Sequence, residues 1–66
     1  MSVAKVIELS ARSTESFEEA IQSAIDKAGE TVENIEGAWV KEQNVVVENG
    51  VITGYKVNLK ITFVVD

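Results

Sequence analysis

The side chains in this 66-residue chain that can take part in chemistry are acids, a few cations and a single tryptophan; histidine and cysteine are both absent. Without them there is no Ser-His-Asp or Cys-His relay, and no side chain whose ordinary titration falls near neutral pH. The usual zinc ligands are missing for the same reason, and disulfides are excluded. With 11 acids against 6 bases the net charge is −5, a balance that repels nucleic acid and anionic membranes. What remains is binding. Trp39 offers a flat aromatic face, and Lys56 and Lys60 offer cations that suit a planar ligand bearing phosphate. The alternative for Trp39 is packing in a subunit interface, its indole N–H bonded to a neighbour. Tyr55 reads as a ring in the hairpin core with its hydroxyl at the surface. Glu8, Glu36 and Glu42 are the acids that an enzyme would have to pair across subunits, and no enzyme is expected.

The elements that position these residues are legible from spacing. Val45-Val46-Val47-Glu48-Asn49-Gly50-Val51-Ile52-Thr53 holds Asn-Gly between β-branched runs, the requirement of a two-residue type I′ hairpin turn. Counting outward from that turn sets Glu48 opposite Val51, Val46 opposite Thr53, Val40 opposite Leu59 and Trp39 opposite Lys60. Tyr55, Val57, Leu59, Ile61 and Phe63 alternate with Lys56, Asn58, Lys60 and Thr62. The apolar set, joined by Ala38 and Val40, is expected to cover a helix, with Val45 and Val47 on the other face. Glu42 and Asn44 fit a core face badly, which points to a bulge near residues 42–44.

The helix is marked by Phe17, Ala20, Ile21, Ala24, Ile25 and Ala28, one apolar stripe at helical spacing. Ser13 is its expected N-cap, with Glu15, Glu18 and Glu19 in the first turns. Val32 extends the stripe and places the helix end near Asn34. The face bearing Glu18, Glu19, Gln22, Asp26, Glu30 and Glu33 reads as solvated, with an acidic cation site as the sharper alternative. A first strand from Val3 to Leu9 completes the order β-α-β-β. The class is α+β: a three-stranded antiparallel sheet, its third strand central, packed on one helix.

One domain spans residues 1–66, and it is small enough that apolar burial and conformational entropy nearly cancel. Small folds overcome this with disulfides, metals or partners; here a homo-oligomer is the expected answer, and the long apolar edge of the hairpin asks for the same. No apolar run has the roughly 20 residues that span a bilayer, and no export signal is visible at Met1-Ser2-Val3-Ala4-Lys5. A cytoplasmic protein with no nucleic-acid or membrane partner is expected.

The order and spacing of these segments resemble the dodecin family over the whole chain. The residues that carry the resemblance are Val3-Ala4-Lys5-Val6-Ile7-Glu8, Ser13-Thr14-Glu15-Ser16-Phe17, Ala24-Ile25, Thr31-Val32-Glu33-Asn34-Ile35, Glu42-Gln43 and Val57-Asn58-Leu59-Lys60-Ile61-Thr62-Phe63. The resemblance implies a hollow dodecamer that stores or sequesters flavin (FMN, FAD or riboflavin), often stacked in pairs at subunit interfaces. Some members bind coenzyme A or calcium, so a flavin-free cage taking a cation or a coenzyme A-like anion is the alternative. The tryptophan that stacks on flavin falls seven residues into the run that begins Thr31-Val32, where this chain has Gly37. In archaeal members, a glutamine that bonds the ring edge follows the tyrosine of strand three, where this chain has Lys56. Trp39, two residues beyond Gly37 on the same face, is the displaced aromatic. The candidate cofactor-binding residues are therefore Gly37, Trp39, Gln43, Lys56 and Lys60. No metal site is assigned, and with both ring positions changed weak or absent flavin binding is expected.

Overall fold

The computed structural model describes residues 3–65. Strand β1 (Ala4–Ser13) leads into helix α1 (Phe17–Ala28), followed by the long hairpin of β2 (Ile35–Glu48) and β3 (Val51–Val64). The sheet order is β1-β3-β2, and both pairings are antiparallel. The β-α-β-β order, the central third strand and the single helix on one face are those read from the pattern. Alternation along β3 buries Val57, Leu59 and Ile61 against Ala20, Ala24 and Ala28 of the helix, and buries Phe63 further along the strand. Small alanines on the buried helix stripe let the helix sit close to the sheet. Ile7, Leu9, Ala11, Phe17, Ile21 and Ile25 close the core around them.

The helix begins and ends elsewhere than expected. Its N-cap is Ser16, whose hydroxyl accepts from the Glu19 backbone N–H at 3.0 Å. Ser13 remains in β1, opposite Tyr55, and uses its hydroxyl in the connection. It accepts from the Glu15 N–H at 2.9 Å and donates to Glu19 Oε1 at 3.0 Å. Strand β1 therefore runs to Ser13 rather than stopping at Leu9. At the other end Gly29 caps the helix, its N–H bonded to the Ile25 carbonyl at 2.9 Å. Val32 packs on the core from a non-helical turn, which explains why the apolar period outlasts the helix. Asn34 then takes a left-handed conformation, φ 62°, as the chain turns into β2.

The hairpin register departs from a simple count in the middle and returns to it at the far end. Glu48 stands opposite Val51 and Val47 opposite Ile52, but Val46 meets Gly54 rather than Thr53, which is left unopposed on β3. The compensating shift leaves Lys41 unopposed on β2, between the pairs Val40–Leu59 and Glu42–Asn58. Between the two shifts the faces exchange. Val45 lies opposite Tyr55 on the helix side, as by alternation does Val47, whereas Glu42 shares the open face with Asn58. Ala38 and Val40 do face the helix side, opposite Ile61 and Leu59. The helix nevertheless packs on β1 and β3 and barely touches β2.

Candidate functional site

The sheet face turned away from the helix gathers most of the residues singled out by type. Because both neighbours of β3 are registered to it, this face is a ladder of rows three strands wide. One row is Val6–Thr62–Gly37, the next Glu8–Lys60–Trp39, then Ser10–Asn58–Glu42, then Arg12–Lys56–Asn44. In the second row the Lys60 ammonium stands 5.6 Å from the centroid of the Trp39 ring, a cation–π contact. Trp39 is 65% exposed, a large apolar surface left open in the protomer. The bulge at Lys41 turns that side chain onto the same face, where its ammonium pairs with Glu8 Oε2 at 3.2 Å. The third row is a hydrogen-bonded chain. Ser10 Oγ donates to Asn58 Oδ1 at 2.6 Å, and Asn58 Nδ2 donates to Glu42 Oε1 at 3.0 Å.

Gly37, Trp39, Lys56 and Lys60 thus share one face, with Gly37 and Trp39 in adjacent rows. Lys56 lies four residues along β3 from Lys60, about 13 Å at strand rise. Gln43 is placed apart from them, opposite Val57 on the helix side, because the bulge at Lys41 exchanges the faces beyond it. Tyr55 is half-buried on the helix side, beside Phe17. Its ring meets Phe17 edge-on with centroids 5.1 Å apart at 78°. Glu8 and Glu42 are held within the protomer by Lys41 and Asn58, and the third acid, Glu36, is exposed and unopposed beside Gly37. Among the described residues no three acids converge on one point. The carboxylates of the outer helix face form no exception, and Asp26 there accepts from Gln22 at 2.9 Å. Depressions in the protomer lie against the Gly29–Asn34 turn and along the outer helix face, away from Trp39. The Trp39 ring itself stands exposed on its face.

A three-stranded antiparallel sheet with one helix on one face has counterparts among known proteins. The sequence profile of the dodecin family matches residues 3–66, and the chain belongs to that family. It is 35% identical over 63 residues to the calcium dodecin of Mycobacterium tuberculosis, covering 96% of this chain and 89% of that protein. Among solved structures, a dodecin variant of T. thermophilus superposes with a TM-score of 0.92 at 30% identity, covering 100% of this chain and 98% of that one. The crystal structure of the mycobacterial protein, described as calcium chelating with a novel calcium-binding site, gives a TM-score of 0.80 at 36% identity. It covers 94% of this chain and 89% of that one. Among the described residues, no helix is long and apolar enough to cross a membrane.

Proposed function

We propose that this chain assembles as a dodecin-type homo-oligomer, a dodecamer, that sequesters a small planar ligand against the Trp39 row, with flavin as the ligand the family implies. The observation that carries this reading is the open, 65% exposed Trp39 ring with the Lys60 ammonium over it. Stacking supplies affinity only if something covers the other side of the ligand, and a second subunit can do so. The sheet itself calls for such a partner. Strands of 14 residues run about 46 Å, while the 12-residue helix covers about 18 Å. Val45, Val47, Val51 and Ile52 are left exposed along the uncovered stretch, and β2 presents an unpaired edge within the protomer. No bond is made or broken in this function; burial at an interface is the whole mechanism.

The second reading is a flavin-free cage that takes calcium or a coenzyme A-like anion, supported by the mycobacterial relative named for calcium. A calcium site would have to be completed between subunits, since the acids of one protomer do not converge among the described residues. Titration with riboflavin separates the two. Quenching of both tryptophan and flavin emission supports the first reading, because face-to-face ring contact opens a nonradiative route. Unchanged emission, with calcium binding seen by calorimetry, supports the second.

A further inference from the structure

The open face carries a second set of cations that the ring platform does not use. Arg12 and Lys56 stand directly opposite each other on β1 and β3, and Asn44 completes their row on β2. Among the described residues neither cation has a carboxylate within 4.0 Å, whereas Lys27 and Lys41 are both paired. Side chains directly opposed in an antiparallel pair have Cβ atoms about 4.5–5.5 Å apart, and like charges there repel. Arg12 turns along the sheet away from that repulsion. Its Nε lies 3.5 Å from where a Cβ on Gly54 would stand, one step past Lys56 on the side away from Lys60, so the side chain lies over that buried glycine. The chain has 11 acids for 6 bases, and among the described residues none of those acids pairs with Arg12 or Lys56. Every group in the row can donate hydrogen bonds: a guanidinium fork, an ammonium and a primary amide. A tetrahedral oxyanion bridging the row would receive a bidentate contact from arginine and a point charge from lysine.

We propose that Arg12, Lys56 and Asn44 form a phosphate site, and that the ligand of this face is a heterocyclic phosphate with its ring at Trp39 and its phosphate at Arg12–Lys56. The anion site stands on its own geometry; its connection to a ring rests on the platform reading above. The two ends are about 13 Å apart along β3 at Lys56, the nearer cation, and Arg12 lies on the far side of it over Gly54. The ligand must therefore carry a chain of about that length between ring and phosphate. A phosphate anchor also compensates for Gly37 and Lys56, which take away the ring contacts that the family resemblance assigns to those positions.

The test uses the full chain in its assembled form, in phosphate-free buffer at low salt, with three probes: inorganic pyrophosphate, riboflavin and FMN. Calorimetry should show pyrophosphate binding that falls about ten-fold or more in Arg12→Ser and in Lys56→Gln, and falls less in Arg12→Lys. By quenching, FMN should bind about ten-fold or more tightly than riboflavin, and Arg12→Ser should abolish the difference while leaving riboflavin unchanged. Light scattering and circular dichroism confirm that each variant keeps its particle and fold. Pyrophosphate binding that is absent, or equal in wild type and in both Arg12→Ser and Lys56→Gln, overturns the anion site. FMN and riboflavin binding equally overturns its link to the ring. If pyrophosphate binds through Arg12 while riboflavin and FMN do not quench, the anion site is upheld and the Trp39 platform falls.

Discussion

Trp39 and Lys60 stand opposite each other across the hairpin, the ammonium 5.6 Å from the ring centroid, although two register shifts separate them from the Asn49-Gly50 turn. The shifts leave one residue unopposed on each strand, Thr53 on β3 and Lys41 on β2, so they cancel. The pair is therefore held by the sheet backbone on both sides and not by the reach of a flexible lysine. Removing the ring tests what it is for. If the ring stacks on a ligand, Trp39→Ala should weaken flavin binding by about 1–3 kcal/mol and leave the particle assembled. If it packs an interface, the same change should leave flavin behaviour alone and weaken assembly by roughly 3–5 kcal/mol per site. Quenching titrations and light scattering on one preparation tell the two apart.

Gly37 offers the reciprocal experiment. No atom lies within 4 Å of a Cβ built on it, and its backbone is not in the left-handed region that demands glycine. Gly37→Trp should therefore fold, and it restores an aromatic at the position where the family resemblance expects one. Tighter flavin quenching than in the parent is the expected result. A variant that folds and assembles with no gain would show that this face no longer accommodates the ring at that row.

The strand order, the core alternation of β3 and the pairing of Trp39 with Lys60 were legible because they depend on period and on one turn. The face of residues 42–47 was not, because a single unopposed residue at each end exchanges the faces of everything between. Glu42 and Asn44 carried the hint, being polar where a straight count put the core. The same exchange sends Gln43 to the opposite face from Trp39, which no spacing rule alone would place. The helix cap was legible but misassigned. Ser16-x-x-Glu19 is the capping-box pattern, yet Ser13 sits three residues earlier with the same chemistry and takes the Glu19 carboxylate for itself. The helix end was missed because Val32 packs on the core without being helical. Arg12 carries no signal in the sequence, because its partner, Lys56, is 44 residues away and is brought opposite it only by the strand pairing.

Opposed like charges at Arg12 and Lys56 should show in stability as well as in binding. In phosphate-free, low-salt buffer, Arg12→Ser or Lys56→Gln should stabilise the protein by about 0.2–1 kcal/mol, the scale of a cross-strand charge pair. Added salt or pyrophosphate should shrink that gain, by screening the repulsion in one case and by stabilising the parent in the other. Thermal denaturation at several salt concentrations measures it. A destabilised variant at low salt would show that the pair is neutralised within the assembly.

The turn that sets the register makes a local prediction. Asn49 and Gly50 both have positive φ, 52° and 77°, as a type I′ turn requires. Gly50→Ala meets no atom within 4 Å, so its cost is conformational alone, on the order of 1 kcal/mol. Denaturant unfolding should report a lower midpoint with an unchanged slope. A fall in slope as well would mean that the native hairpin had frayed.

The assembly prediction rests on what the helix leaves uncovered. Leu59 and Ile61 are fully buried within the protomer, yet Val45, Val47, Val51 and Ile52 lie where the hairpin outruns the helix, and both outer strands present free edges in the single protomer. A chain this short gains little beyond the entropy it loses on folding, so stability must come from covering that surface. Light scattering should give a particle of about twelve times the subunit mass, closed by symmetry so that no edge stays open. That particle should survive dilution to micromolar concentration and resist heat, with no folded monomer in equilibrium with it. Val51→Lys, which puts a charge on the uncovered stretch, should release unfolded chain and not a soluble folded monomer. A stable folded monomer or dimer, from the parent or from that variant, would contradict the prediction, since it would show that one helix on one face of the sheet is cover enough.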